Sequence, residues 1–326
     1  MTQAQSSQET LPEQFGTVLL TLEKIAQSYF TLGHLEQALQ IFQIGMQVLH
    51  NPEVTQRDQA EFLSHYGNML AAKTQFANAP VEEALSLLKQ AKQLAIALSD
   101  VQLLADALDS IGFAQYVAAS NNRAGDPLVF RASFQDALER RRVLPDNRGV
   151  SESLFHLGLT AQVLDEMGVA RSCYTQALQI ARQHGYLAET SDALRHLGFL
   201  EQEQGNIFQA QQYLTESLHL REHIGKQVYL PFAHVAVADV YLVQGNVELA
   251  FFHSQKALEL SRGMDIKKAL IFSLSSCGRV CQAKQDEEQA KDYFEQAYVV
   301  AQAIDLKYAM HELSSTLQHL SANPRK

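Results

Sequence analysis

A forty-residue self-similarity constrains this chain more than any other feature. The stretch LRHLGFLEQEQGNIFQAQQYLTESL from Leu194 aligns without a gap with HVAVADVYLVQGNVELAFFHSQKAL from His234, 40 positions later. Ala137, Ala177, Ser217, Ala257 and Ala297 share one register at that period, and Gly158, Gly198, Ala238 and Gly278 share another. Gly67 and Gly112 continue the second series upstream, less regularly. Such a chain stacks like units, each burying its apolar face against its neighbours.

Each unit reads as two helices. In the first, apolar residues recur at helical spacing, as at Leu194, Leu197 and Gly198. A Gly-Asn pair follows, Gly205-Asn206 or Gly245-Asn246. Glycine tolerates the left-handed conformation that ends a helix, and asparagine caps the next one. The second helix carries small, large and small residues at spacings of four and three: Ala210, Leu214, Ser217, then Ala290, Phe294, Ala297. The small residues let two helices approach, and the large one fills the space between units. Only 7 prolines and 16 glycines interrupt a chain rich in the helix formers Ala, Leu, Gln and Glu.

On these residues the chain resembles the tetratricopeptide repeat (TPR) family. Tyr29, Gly33, Ala38 and Phe42 match its pattern, as do Leu197, Gly198, Gly205 and Ala210. The resemblance covers residues 19–303. It implies an all-α, right-handed superhelix (an α-solenoid) of about seven helix pairs, with a C-terminal capping helix near 306–320. A period near forty exceeds the family's usual ~34 residues. HEAT-type units share that longer period, but the glycine turn and the Ala-aromatic-Ala run favour TPR. The long-period form is similar to the repeats of kinesin light chains, Rap-type peptide sensors and the sensor arms of maltose-regulator-type activators. The expected organisation is a tail over 1–14, one superhelical domain over 15–320 and a tail over 321–326.

Two units break the rhythm. From the first-helix small residue to the second-helix small residue the count is 19 in units four to seven, but 24 from Gly67 to Ala91 and 25 from Gly112 to Ala137. The extra residues are expected in turns near Ala77–Pro80 and Asn121–Pro127. Insertions at equivalent places lie on one edge of a superhelix, where they form a lid, a partner contact or a tolerated surface excursion.

The resemblance implies that the first helix of each pair faces the concave groove. Two residues before its small residue stand His65, His156 and His196, and four before each stand Glu61, Glu152 and Asp192. An acid and a histidine at i,i+4 share one helix face and can touch. Asp106, Asp109, Phe113, Phe155, Arg195 and Phe199 join them on that face, with Arg279 and Asp239 further on. The groove is therefore expected to be acidic and histidine-rich in the middle, and apolar toward Phe232 and Phe272. These residues are read as a groove for a peptide, a protein segment or a small polar molecule, or as solvated polar residues copied with the repeat. Kinesin light chains often carry asparagine where these histidines sit, and histidine also donates and accepts. A His/carboxylate enzyme or metal site in the central groove is the alternative, and a detached sensory module of a regulatory system is another.

Several classes are disfavoured. A formal charge of −10 opposes phosphate neutralisation, and nucleic acid is not an expected partner. The one basic segment (Arg123, Arg131, Arg140, Arg141, Arg142 and Arg148) is interleaved with Asp126, Asp136, Glu139 and Asp146 and reads as a solvated face. Cys173, Cys277 and Cys281 are too few for a disulfide framework and suggest a reducing compartment, with packing the expected role. The N-terminus lacks a signal peptide's basic and apolar regions, and no membrane-spanning stretch is found, so the cytoplasm is the expected location. No HExxH, GxSxG, Walker or GxGxxG signature occurs, so no catalytic residue, metal or cofactor is assigned. His219 and His223, four apart, read as lone surface histidines.

Overall fold

The computed structural model describes residues 10–122 and 125–322, and all its regular structure there is helical. Seven antiparallel pairs follow one another: α1 (Leu11–Thr31) with α2 (Leu35–Leu49), α3 (Gln56–Ala77) with α4 (Glu82–Ala97), α5 (Val101–Asn122) with α6 (Pro127–Arg142), α7 (Asn147–Val163) with α8 (Met167–His184), α9 (Leu187–Glu203) with α10 (Ile207–His223), α11 (Leu230–Val243) with α12 (Val247–Arg262), and α13 (Lys267–Ala283) with α14 (Glu287–Ala303). A single helix, α15 (Lys307–Ala322), closes the array, and a 3-10 turn over Gln227–Tyr229 precedes α11. The expected all-α superhelix is thus the observed fold.

The seam inside each pair explains the glycine column. A Cβ placed on Gly158 would lie 2.4 Å from the Tyr174 ring, one on Gly198 2.7 Å from Leu214 Cγ, and one on Gly278 2.7 Å from the Phe294 ring. The bulky residue between two small ones on the second helix therefore fills the space left by glycine on the first. Helices α7, α9, α11 and α13 are each followed by one left-handed residue at equivalent positions: Asp165 (φ 59°), Gly205 (φ 80°), Gly245 (φ 73°) and Gln285 (φ 65°). The Asn246 side chain accepts from the Leu249 amide and caps α12 as expected.

Three expectations need correction. Residues 11–14 are not tail: α1 begins at Leu11, where the Thr10 amide donates to Glu13 Oε2 at 2.7 Å. At the other end α15 continues through Ser321 to Ala322, while residues 323–326, like residues 1–9, lie outside the described residues. The extra residues of units two and three do not lie in the turns alone. They lengthen α3 and α5 to 22 residues each, against 17 in α7 and α9. The added turns hold buried Thr74 and Phe76 in α3 and buried Asn121 in α5.

Those longer helices meet the far end of the superhelix. Asn78, at the end of α3, donates to the carbonyls of Ile304 (2.9 Å) and Asp305 (3.1 Å) before α15. Buried Asn121, near the end of α5, donates to the Thr74 carbonyl and accepts from the Lys268 ammonium of α13. Asp265 accepts from the first two amides of α2, Leu35 (2.9 Å) and Glu36 (3.0 Å), so it caps a helix 230 residues upstream. Gly33 (φ 88°) backs directly onto Met264, and a Cβ there would lie 2.5 Å from its Cγ. Tyr229 packs edge-on against Phe30 and Phe76. The superhelix closes on itself, and its concave groove becomes a lumen.

Candidate functional site

The lumen holds a cavity of about 880 Å³. His65, Asp106, Asp109, Phe113, Glu152, Phe155, His156, Asp192, Arg195 and His196 line it. Two residues expected there do not. Glu61 pairs with Arg57 at 3.0 Å on its own helix, and Phe199 lies beneath the Arg195 guanidinium, 4.5 Å from ring centre to Cζ. Arg279 and Asp239 pair with each other at 2.7 Å, away from the cavity.

The expected i,i+4 acid–histidine pairs do not form; each histidine finds its partner in the preceding unit. His65 Nδ1 meets Glu23 of α1 at 2.8 Å, and His156 Nδ1 meets Asp109 of α5 at 2.8 Å. His196 packs edge-on to Phe155 of α7, with ring centroids 5.1 Å apart. Glu23, Asp109 and Phe155 all stand three residues before the small residue of their helix, and each histidine stands two before its own. Adjacent first helices pack side by side, so this diagonal is shorter than the path along one helix. A carboxylate only accepts, so His156 Nδ1 carries the hydrogen and, in the neutral ring, Nε2 is the acceptor. Phe113, Phe134 and Phe155 surround that ring.

The acids left over are bound to arginines that sequence reading misjudged. Arg141, expected on a solvated face, is 4% exposed. Its guanidinium donates to Asp106 (2.7 Å), Ser153 Oγ (2.8 Å) and the Gly149 carbonyl (3.0 Å), and lies 3.3 Å from Asp109. Burial pushes the Asp109 carboxyl up, but His156 and Arg141 outweigh it and hold the group below its ordinary range. Arg221, 3% exposed, donates to Asp192 (2.6 Å) and Ser191 Oγ (3.2 Å). Arg141 and Arg221 occupy one repeat position, four residues after the small residue of the second helix, where other units carry Ala181, Ser261 and Ala301. An arginine in a column of Ala and Ser was the legible signal. Elsewhere in the basic segment Arg131 pairs with Glu166 and Arg140 with Asp136, as on a surface, while Arg148 pairs with Glu189 at the edge of the lumen. Arg123 lies outside the described residues.

The lumen is polarised along the superhelix. Units three and four, with the start of α9, supply Asp106, Asp109, Asp146, Glu152 and Glu189 against Arg141 and Arg148. Beyond Glu189, units five to seven supply Arg195, Arg221, Lys226 and Lys268 against Asp192. The expected apolar end is present, since Phe232 and Phe272 meet edge-on at 5.9 Å, but Tyr229, Tyr308 and two lysines share it. These cations were missed because they come from a helix start and a connecting turn, outside the repeat positions counted for the groove.

Among the described residues, no carboxylate lies in ion-pair range of Arg195, and its buried Nε has no hydrogen-bond partner. Burial, with Arg221 nearby, lowers its pKa to about 9. Burial also lowers Lys268 to about 8. His196 is held well below its ordinary value by burial, then by Arg195 and Arg221, so its ring is neutral. Its Nδ1 and the Tyr174 hydroxyl both reach Gln162 Oε1, at 3.2 and 2.5 Å.

Outside the lumen, Cys277 and Cys281 are packed in the core and Cys173 is half-buried. Among the described residues no three His, Cys, Asp or Glu side chains stand together so as to hold a metal ion. None of the described helices is long and apolar enough to cross a membrane.

Comparison with known proteins agrees with this architecture. Among solved structures, a Rap protein complexed with Competence and Sporulation Factor superposes with a TM-score of 0.65 at 13% identity, over 98% of this chain and 89% of that one. The STAND protein PH0952 from Pyrococcus horikoshii, described as carrying a tetratricopeptide repeat sensor, gives 0.58 at 15% identity over 94% of this chain and 46% of that one. BtubC (BKLC) from P. vanneervenii gives 0.56 at 17% identity, over 72% and 92%. At these identities the likeness concerns the fold. No curated protein sequence matches the chain. The sequence profile of the MalT-like TPR region matches residues 143–321, more than half of the chain, and the chain belongs to that family.

Proposed function

We propose that this chain is a binding scaffold of the sensor type, whose lumen holds a short peptide or a small polar molecule. One observation carries the reading: the lumen holds a half-open cavity of about 880 Å³ lined by aromatic rings and by converging charged groups. That volume suits a small ligand, and sites of this kind combine apolar surface with a few placed polar groups. A folded protein domain does not fit inside it. The family and the structural relatives support the same reading, since one relative is described as a sensor and another was solved with a bound factor.

Equilibration of the purified chain with a pool of random hexapeptides, followed by ultrafiltration and mass spectrometry, tests it. A subset of the pool is retained by the wild type and lost from a Phe113→Ala/Phe155→Ala variant, which strips aromatic surface from the lumen. Equal retention by both proteins places binding elsewhere, and no retention by either removes peptides as the ligand class.

The hydrogen-bonded Asp109–His156 pair favours a second reading, acid–base chemistry in the lumen. A His156→Gln variant that binds ligand normally but no longer converts it would establish that reading.

A further inference from the structure

The two poles of the lumen differ in how their charges are already used. At the acidic pole, Arg141 is ion-paired with Asp106, Asp109 and Asp146 and donates to Ser153, though its Nε too lacks a hydrogen-bond partner, and Arg148 is taken by Glu189. At the basic pole only Arg221 has a carboxylate, Asp192. Arg195 has none within ion-pair range, and Asp192, which acts on it from further off, is already bonded to Arg221; the Arg195 Nε has no hydrogen-bond partner, and its guanidinium lies over the Phe199 ring. Lys268 spends one hydrogen bond on the neutral Asn121 amide, and Lys226 lies 5.6 Å from the Tyr229 ring centre. A buried cation without a counter-charge is costly, and proteins keep such groups paired.

From this arrangement we infer that the lumen takes a dipolar ligand, whose oxyanion sits on Arg195 beside Lys268 and whose cationic group sits against Asp106 and Glu152. The inference rests on the lumen being the binding site and adds the chemistry and direction of the ligand. A guanidinium binds carboxylate or phosphate through two parallel N–H bonds, a match that a lysine does not provide. The aromatic rings of Tyr229, Phe232 and Phe272 line the cavity beside that pole, and a lower local dielectric strengthens the pairing. Binding an anion there also offsets the burial that disfavours the charged forms of Arg195 and Lys268. A free oligopeptide, with a carboxylate at one end and an ammonium at the other, has this charge distribution; a small phosphorylated amine has it too.

The test compares two hexapeptide pools, one with free C-terminal carboxylates and one amidated, on the wild type and on Arg195→Gln and Arg195→Lys variants. The free-acid pool is retained at least tenfold over the amidated pool by the wild type, Arg195→Gln abolishes that preference, and Arg195→Lys keeps part of it. Equal retention of both pools by the wild type overturns the inference while leaving the lumen a peptide site. Should Arg195→Gln fail to fold, the ratio of the two pools on the wild type still decides. If neither pool is retained, the peptide reading fails and inorganic anions take over as probes. Acetate and phosphate, compared with chloride at equal ionic strength, then raise the melting temperature of the wild type more than that of the variant. A larger effect of phosphate assigns the pole to a phosphoryl group, a larger effect of acetate to a carboxylate, and identical shifts in both proteins overturn the inference.

Discussion

The seam between the helices of each pair and the lumen they enclose are built from the same first helices, on opposite faces, by different rules. Along the seam the partner is always the second helix of the same unit, at a fixed offset: Gly158 with Tyr174, Gly198 with Leu214, Gly278 with Phe294. The contacts are related by whole multiples of the 40-residue period, so the chemistry repeats. In the lumen the partner belongs to another unit or to the end of a second helix, as in Asp109–His156 and Arg141–Asp106. Those pairings vary from unit to unit, because each needs two substitutions on different helices to agree. The seam thus carries the fold, and the lumen is free to carry individual chemistry at some cost in stability.

If the lumen is as tightly built as its hydrogen bonds indicate, its centre is the more fragile of the two regions. Arg141→Met leaves Asp106, Asp109 and Asp146 in a partly buried cluster without their shared counter-charge. Breaking a buried ion pair from one side costs about 3–5 kcal/mol. Denaturant unfolding of the variant should show a loss of that size. The seam responds less strongly: Gly158→Leu forces the buried Tyr174 ring aside, and overpacking of this kind costs roughly 1–3 kcal/mol. Ala257→Leu, at a fully buried position of the same column family, should fall in the same roughly 1–3 kcal/mol range. A seam variant clearly less stable than the Arg141 variant would reverse the comparison.

What was legible follows from this difference. Helix count, pairing and the glycine-to-large-residue contacts were readable because translation by one period preserves them. The lumen faces of His156, Asp192 and Arg195 were readable for the same reason. Their partners were not, since helical spacing alone pairs His156 with Glu152, whereas the neighbouring helix brings Asp109 closer. Closure of the superhelix was also out of reach. It depends on small rotations accumulated over seven units, and contacts such as Asp265 on α2 link residues 230 positions apart. The irregular lengths of units two and three marked where closure occurs, though as longer helices and not as looser turns.

Closure can be weakened without touching either region. Asp265→Ala removes the cap from the first two amides of α2, and losing an N-cap costs about 0.5–2 kcal/mol. Denaturation should register that loss, and small-angle scattering should show a larger radius of gyration for the variant. An unchanged radius would mean that the aromatic contacts of Tyr229 with Phe30 and Phe76 hold the ends together without the cap.

The smallest expected effect concerns the pH response of the acidic pole. Burial raises the Glu152 pKa from 4.5 to about 7, with Arg141 opposing the rise and Asp109 adding to it. Folded Glu152 therefore holds a proton more firmly than unfolded Glu152 between those two values. The stabilisation from this site is complete below about pH 4.5 and is lost as pH rises through about 7. Replacing Glu152 by Gln fixes the neutral form, so the stability difference between Glu152→Gln and wild type should grow across that window. The side chain is 39% exposed and 3.8 Å from Arg141, so screening keeps the effect below about 1 kcal/mol. Parallel unfolding curves of the two proteins at several pH values measure it. A flat difference means that the carboxylate is already ionised and compensated by Arg141 and Arg148. A cationic group on the acidic pole favours the ionised form and shifts the window downward, so repeating the titration with a bound dipolar ligand tells the two poles apart.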